Sequence, residues 1–547
     1  MGWMQDETGL DKCAANYVPL TPLSFLARAA DIFPDREMIV YGDLRQSYAE
    51  TFARVSRLAG ALAGAGVMPG DVVSTLLPNV PAHMEATFGV PACGAVLNTI
   101  NIRLDVDTVA YILDHSQAKL MLVDSQFLPL AMAARDLMTG PRPLVIEVPD
   151  PQAGIKGIGE QTDYESFLLT GAPDFHWIWP KDEWESLALN YTSGTTGRPK
   201  GVVYHHRGAY LNVMGQVVGW RMQLFPRLLT ISPLFHCNGW CHTWMIPVLG
   251  GTLVACRDVT ARNIFAAIAD EKVTHFGGAP IVLNLLVNAP ENDRRAFDHT
   301  VEVMTAGAPP APATLARIER MGFNITQVYG LTETYGPGLE SMWLPDWDGL
   351  PGDDRSARKA RQGVTMAHLE PVGVVDADLV PVPRDGVTQG EIVFRGNGVM
   401  KGYYRNPEAT EKAFKGGWFH SEDIAVQHPD GHIQIADRAK DIIISGGENV
   451  SSVEVEGALM HHPAVNLCAI VAMPDETWGE VPCAFVELRE GATVEAAELI
   501  RFVRERLAGF KTPKRVVFQE LPKTSTGKIQ KFELRKVAAT LAAKQDV

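Results

Sequence analysis

The feature that most constrains this chain is a rhythm. Short apolar runs that end in Gly, Ser, Thr or Pro alternate with stretches whose apolar residues recur at helical spacing. LTPLSFLARAADIF reads as an amphipathic helix and REMIVYGDLRQSY as a strand pair. YAETFARVSRLAGALAGAGV reads as a second helix, stopped by Pro69 and Gly70. DVVSTLLPN follows as a buried strand, and AHMEATFGVPACGAVLNTI as a helix that runs into another strand. The pattern returns at LTISPLF, GTLVAC, THFGGAP, VEVMTAG and ITQVYG. Strand–helix–strand order predicts mostly parallel sheets sheathed by helices. Loops at the carboxyl ends of such strands are where ligands bind.

Composition narrows the classes. A length of 547 residues predicts several domains and a core that needs no staple. With 46% apolar and 21% charged residues, the chain is neither disordered nor collagen-like. Its net charge of −15 disfavours general nucleic-acid binding. No apolar run approaches the roughly 18 residues of a membrane span. The start, MGWMQDETGL, is not expected to be a signal peptide, and Asp6 breaks the myristoylation pattern. The end, KQDV, is no retention or peroxisomal tag. Seven scattered cysteines make no disulfide framework, which points to a reducing cytoplasm.

Organisation changes twice. Residues 340–400 are rich in Pro, Gly and Asp with short strands (PVGVVDADLV, QGEIVFRG), which predicts a small antiparallel β unit. DRAKDIIISGGENV then opens a region with its own order: a helix at SSVEVEGALMHH, strands at AVNLCAIVAM and PCAFVELRE, and a helix at EAAELIRFVRERLAG. This places a boundary near Asp437–Lys440, with domains at 1–437 and 438–547. Residues 438–547 carry 15 basic and 15 acidic side chains, so the whole net charge precedes them. Residues 501–547 carry 12 basic against 4 acidic. A solvated surface explains that excess as well as an anionic ligand does.

The densest chemistry lies in Tyr191-Thr192-Ser193-Gly194-Thr195-Thr196-Gly197-Arg198-Pro199-Lys200-Gly201. Its glycines free the backbone to turn N–H groups inward, its hydroxyls add donors, and Lys200 adds a cation. Such a loop cradles phosphates. It is not a Walker A loop, because Gly201 follows the lysine. A flexible surface turn is the plain alternative, which this eleven-residue order argues against. A second dense segment is Ser232-Pro233-Leu234-Phe235-His236-Cys237-Asn238-Gly239-Trp240-Cys241-His242. Its His and Cys residues could suggest zinc, but the spacing is compressed, and in a helix His236 would project away from Cys237.

The eleven-residue segment resembles the signature of the adenylate-forming superfamily: acyl-CoA synthetases, peptide-synthetase adenylation domains and firefly-type luciferases. Further segments match in order. They are Tyr329-Gly330-Leu331-Thr332-Glu333-Thr334, Gly417-Trp418-Phe419-His420-Ser421-Glu422-Asp423 and Asp437-Arg438-Ala439-Lys440-Asp441. Ser445-Gly446-Gly447-Glu448-Asn449 and Pro522-Lys523-Thr524-Ser525-Thr526-Gly527-Lys528 complete the set. Together they span about residues 20–540.

The resemblance implies an α/β fold. A large N-terminal domain of two sheet-plus-helix subdomains and a β-barrel-like unit precedes a small mobile α+β C-terminal domain. It implies ATP, Mg2+ and coenzyme A, with a small carboxylic acid converted first to acyl-AMP and then to acyl-CoA. Thr332 and Glu333 resemble nucleotide and magnesium contacts, with Thr192 a second oxygen for the metal. Tyr329 resembles the aromatic beside adenine, with Gln327 and Gly330 close by. Asp423 resembles the ribose carboxylate and Arg438 its partner on ribose or phosphate. Lys528 resembles the adenylation lysine and Lys440 the hinge. Gly446, Gly447, Glu448 and Trp478 resemble the coenzyme A face. His236 resembles an aromatic gate, Trp240 a pocket wall, and Gly307, Ala308 and Pro309 the loop that faces acyl chain and adenine. Core packing is the alternative for Trp240.

Within the family, the N-terminal region and PLFHCNGW look closest to short- and medium-chain acyl-CoA ligases, including 3-methylmercaptopropionyl-CoA ligases. Trp240 favours a C3–C8 or methylthio-substituted acid. An adenylating enzyme for aryl or longer fatty acids is one alternative, and a catalytically silent nucleotide-binding regulator is another. A homodimer is expected by analogy.

Overall fold

The computed structural model describes residues 8–192, 198–306, 312–438, 441–445, 448–475, 478–523 and 529–543. Among the described residues the strands form four sheets. The first orders its strands 364–365, 336–340, 323–331, 301–306, 275–278, 227–230, 252–255, 37–41, 44–47. The second runs 402–403, 200–205, 186–192, 96–99, 72–76, 120–124, 144–148, 162–163. The middle of each is parallel; the first sheet is antiparallel at both edges, and the second at the 402–403 edge but parallel at the 162–163 edge. The parallel expectation therefore describes the centres of the sheets and one of their four rims.

Local chemistry explains the elements. Val72–Leu76 and Leu120–Asp124 are buried along their whole length, as parallel strands covered on both faces must be. The helix Tyr48–Gly64 begins at a reciprocal cap: the Ser47 side chain accepts from the Glu50 N–H, and Glu50 accepts from the Ser47 N–H. Between the two sheets lies one continuous core that includes Phe88, Tyr204, Trp244 and Phe394. Trp244 is fully buried and donates its indole N–H to the Thr87 carbonyl at 3.1 Å.

A buried ionic cluster also joins the sheets. Arg257 bridges Asp124 at 2.7 Å and Asp150 at 2.8 Å, and the Tyr41 hydroxyl donates to Asp150 at 2.6 Å. The cation brings two carboxylates from one sheet to the end of a strand in the other.

The predicted β unit is the third sheet, 373–375, 389–394, 419–427 and 433–438. It extends past residue 400, and the helix Gly352–Lys359 precedes it, which the Pro/Gly/Asp-rich composition had concealed. The small C-terminal domain holds the fourth sheet with the helices Ser452–Met460, Ala496–Arg504 and Lys531–Ala543; the first two helices and the strands 465–475 and 479–488 stand in the expected order, and the last helix and three short strands are additions. Among the described residues no helix is long and apolar enough to cross a membrane.

Candidate active site

The large domain brings its strand ends together at one place. Gly278, Thr305 and Gln327 are lateral neighbours in register at the carboxyl ends of adjoining parallel strands. Beyond the last strand the chain makes a short turn at Thr332–Thr334. The second sheet contributes Thr192 at the end of one strand and Lys200 at the start of the next, paired with each other. Tyr204 ties the two sheets. Its ring stacks on Tyr335 at 3.6 Å and its hydroxyl donates to the Thr332 carbonyl at 2.6 Å.

Glu333 is the carboxylate at this junction. Burial pushes its pKa up, while the Tyr403 hydroxyl, donating to Oε1 at 2.8 Å, pulls the other way. No side chain among the described residues is hydrogen-bonded to Oε2. Lys200 lies near enough to add an opposite field, yet its ammonium sits over the Tyr403 ring, 4.7 Å from the centroid.

Asp423 is 5% exposed, so it is not a surface acid. It accepts from the Tyr329 hydroxyl at 2.6 Å, and its own N–H is held by Ser421 Oγ at 3.1 Å. The Tyr329 ring stacks on Phe394, which fixes where that hydroxyl points. Arg438 lies opposite Asp423 in the strand register. Gln327 is buried with its Oε1 unpartnered.

The PLFHCNGW segment departs from expectation. A regular right-handed helix would place His236 and Cys237 on different faces. The structure instead shows a left-handed run: φ is 42° at Cys237, 42° at Asn238, 59° at Gly239, 56° at Trp240 and 64° at Cys241. Left-handed backbone costs roughly 1–2 kcal/mol for each residue other than glycine. The surroundings impose it. Asn79 accepts from the Leu234 N–H at 2.9 Å, and Gln216 donates to the Trp240 carbonyl at 2.7 Å. Gly239 suits this backbone with its φ of 59°, and a Cβ there would lie 2.6 Å from Leu234 Cδ2, so that a larger residue would have to displace the leucine tip.

The turn presses the Trp240 indole against Gly277, where an added Cβ would meet Trp240 at 3.1 Å and His242 at 2.7 Å. The Cys237 thiol lies 3.7 Å from Thr332 Oγ1, and burial pushes its pKa up to about 12, so it is no thiolate. Burial lowers the His236 pKa, which keeps that ring neutral.

Among the expected residues, the described structure thus gathers Thr192, Lys200, Gln327, Tyr329, Gly330, Thr332, Glu333, Asp423, His236 and Trp240 around the strand ends. Glu448 is exposed at the start of a short strand of the small domain. Trp478 is 48% exposed there, its N–H donating to Asp475 at 2.9 Å. Ser193, Gly194, Thr195, Thr196, Gly197, Gly307, Ala308, Pro309, Lys440, Gly446, Gly447 and Lys528, with the side chain of Arg438, lie outside the described residues. The reading of motifs missed Tyr403. The signal available was MKGYYRNPEAT, an aromatic pair between Gly and Pro that a covered strand does not need.

The donor set suits a magnesium–nucleotide complex. Magnesium is commonly held by one or two carboxylates together with substrate phosphates. Among the described residues no group of three or more His, Cys, Asp or Glu side chains forms a self-sufficient metal cage. A single carboxylate, with one oxygen that no described side chain engages and a lysine nearby, fits that shared arrangement.

Comparison with known proteins agrees. The model of the AMP-binding enzyme family matches residues 26–404, and that of the AMP-binding enzyme C-terminal domain matches 454–528. An acetate/butyrate–CoA ligase of Arabidopsis thaliana, named as peroxisomal, is 49% identical over 97% of this chain and 96% of its own. An acetate–CoA ligase of Humulus lupulus is 46% identical over 98% of each chain. A trans-cinnamate:CoA ligase of Petunia hybrida, also named as peroxisomal, is 44% identical over 97% of this chain and 96% of its own. Among solved structures, o-succinylbenzoate CoA synthetase of Bacillus subtilis, in complex with its acyl-adenylate intermediate, superposes with a TM-score of 0.79. It has 26% identity over 93% of this chain and 97% of its own. With the strand-end junction, the Glu333 turn and matches that reach across both domains, the chain belongs to the AMP-binding enzyme family.

Proposed function

We propose that this chain is an ATP-dependent acyl-CoA ligase for short carboxylic acids, of three to eight carbons or methylthio-substituted, 3-methylmercaptopropionate among them. The first step joins the carboxylate to the α-phosphate and releases pyrophosphate. The second transfers the acyl group to the thiol of coenzyme A and releases AMP. A carboxylate and a triphosphate repel each other, so the site must neutralise charge before they meet. Lys200 and the Ser193–Gly197 loop serve the phosphates, and Asp423, oriented by Tyr329, accepts from the ribose hydroxyls. Glu333 and Thr192 would hold magnesium, which would offset the charge of the departing pyrophosphate. Lys528 would stabilise the charge where carboxylate and α-phosphate join.

The observation that carries the choice of acid is the buried Trp240 indole, packed against Gly277 and His242 in a left-handed turn. Relatives named for acetate and butyrate support the same class. A relative named for trans-cinnamate supports an aryl acid as the second reading.

We place the domain boundary at 437/438. Around Lys440 the small domain swivels, presenting Lys528 in one pose and the Gly446-Gly447-Glu448 face with Trp478 in the other. We place the chain in the cytoplasm; seven unpaired cysteines support a reducing compartment, while several relatives are named as peroxisomal. ATP–pyrophosphate exchange with a panel of acids tests the function. Exchange strongest with butyrate or 3-methylmercaptopropionate is expected. Greater efficiency on palmitate or cinnamate removes the choice of acid, and no exchange with any acid removes the activity.

A further inference from the structure

Tyr403 stands between two opposite charges. Its hydroxyl donates to Glu333 Oε1 at 2.8 Å, and the Lys200 ammonium lies over its ring at 4.7 Å. Among the ion pairs of the described residues, none joins Lys200 to Glu333. That is unexpected on electrostatic grounds. A cation and a carboxylate in a site of low polarity attract strongly, and direct contact would be their resting arrangement. Such a pair would cancel both charges and would have to be broken before a ligand could use either.

The backbone keeps Tyr403 in place. It lies in the short strand 402–403, which pairs with the strand that begins at Lys200, Tyr403 opposite Val202. Its N–H donates to Thr410 Oγ1 at 2.9 Å. The next residue, Tyr404, donates its N–H to the Gly201 carbonyl at 2.7 Å. Three residues earlier, the Met400 N–H donates to the Glu333 carbonyl at 2.8 Å. One segment therefore grips the lysine strand of the second sheet and both ends of the Glu333 residue from the first.

We propose that Tyr403 is a positioning residue that holds the Lys200 ammonium and the Glu333 carboxylate apart, so that each remains available to an incoming metal–nucleotide complex. The ring occupies the lysine and the hydroxyl occupies one carboxylate oxygen; no side chain among the described residues takes the other. This inference rests on the reading of the site as a nucleotide site.

Calorimetric titration of ATP into the full chain, once with magnesium and once with chelator, separates the two roles. Tyr403→Phe keeps the ring and loses the hydroxyl. Magnesium-free affinity should stay within about twofold of the parent, while the tightening that magnesium brings should fall about tenfold, the usual effect of losing a hydrogen bond to a charged group. Tyr403→Leu removes the spacer, lets Lys200 close on Glu333, and should weaken magnesium-free ATP binding by about tenfold. Adding Glu333→Gln to that variant should restore magnesium-free affinity by releasing the lysine, which a purely structural defect would not do.

The proposal is overturned if Tyr403→Phe matches the parent under both conditions, or if Glu333→Gln fails to rescue Tyr403→Leu. Should Tyr403→Leu not fold, the phenylalanine variant alone decides, since it lacks only one oxygen. Loss of the magnesium effect in a parent that still exchanges pyrophosphate strikes Tyr403 only. A parent that does not bind ATP at all strikes the nucleotide reading itself and the proposal with it.

Discussion

Replacing Trp240 by glycine is the sharpest perturbation of the acyl end. Two terms act on stability. Deleting a large buried aromatic side chain costs roughly 3–5 kcal/mol. Trp240 is 9% exposed and has φ of 56°, so glycine at this position returns about 1–2 kcal/mol of left-handed strain. The net loss should be about 1–4 kcal/mol, which a domain of this size tolerates. If Trp240 ends the acyl pocket as proposed, the space vacated extends it. Each methylene buried there contributes about 0.8 kcal/mol, a factor of roughly four. Octanoate carries four methylenes more than butyrate, so the ratio of their kcat/KM values should rise by about 10² in Trp240→Gly. The assay is AMP release at saturating ATP and coenzyme A, each acid measured separately, with thermal melting run beside it. If the variant is folded and the ratio stays within about threefold of the parent, Trp240 is not the end of the pocket and core packing is its whole role.

Three further outcomes are expected. Arg257→Ala should cost about 3–5 kcal/mol, because it leaves Asp124 and Asp150 buried without their cation; denaturant midpoints measure this, and the folded fraction should keep the parent's turnover. Burial holds His83, His205, His275 and His368 at pKa values of about 4, and His206 and His242 at about 3. These folded values lie below the ordinary 6.5, so the unfolded chain takes up protons first. Stability is intact above about pH 6.5 and drains as pH falls towards 4, each proton contributing up to about 1.4 kcal/mol per pH unit; a urea midpoint unchanged between pH 7 and pH 5 contradicts this. Lys528→Ala should abolish pyrophosphate exchange and spare thioester formation from supplied acyl-AMP, with Gly447→Trp doing the reverse. Failure of both variants in the same half-reaction excludes a two-pose cycle.

Much of the fold was legible because its signals are local. A Ser47–Glu50 cap, runs such as DVVSTLLPN and punctuation at Pro69-Gly70 state where elements begin and end, whatever they later pack against. The helix Gly352–Lys359 escaped because it shows almost no apolar periodicity: GDDRSARK is polar throughout, and its assignment depends on its neighbours. The strand pair 37–41/44–47 was legible, but the antiparallel rims at 336–340, 364–365 and 402–403 escaped for a related reason. Whether an edge strand runs with or against its partner is settled by connections and not by composition.

The candidate site divides along the same line. Glu333, Asp423 and Lys200 stand in segments whose order carries their chemistry, so a reading of motifs reaches them. Tyr403 and Gly277 do not. A tyrosine becomes informative only once a carboxylate is found at its hydroxyl and a cation on its ring, and a glycine only once an indole and an imidazole are found where its Cβ would be. The left-handed run Cys237–Cys241 is the extreme case. Local propensity argues against it at Cys237, Trp240 and Cys241, and contacts from residues outside the segment, Asn79 on the adjoining Leu234, Gln216 on Trp240 and Tyr335 on Cys241, help to hold it. Local rules are expected to fail where surrounding structure spends stability on placing a functional group. The residue placed at this cost is Trp240, so the same strain that defeated the helical reading is an argument, independent of any relative, that the indole's position matters to what the site admits.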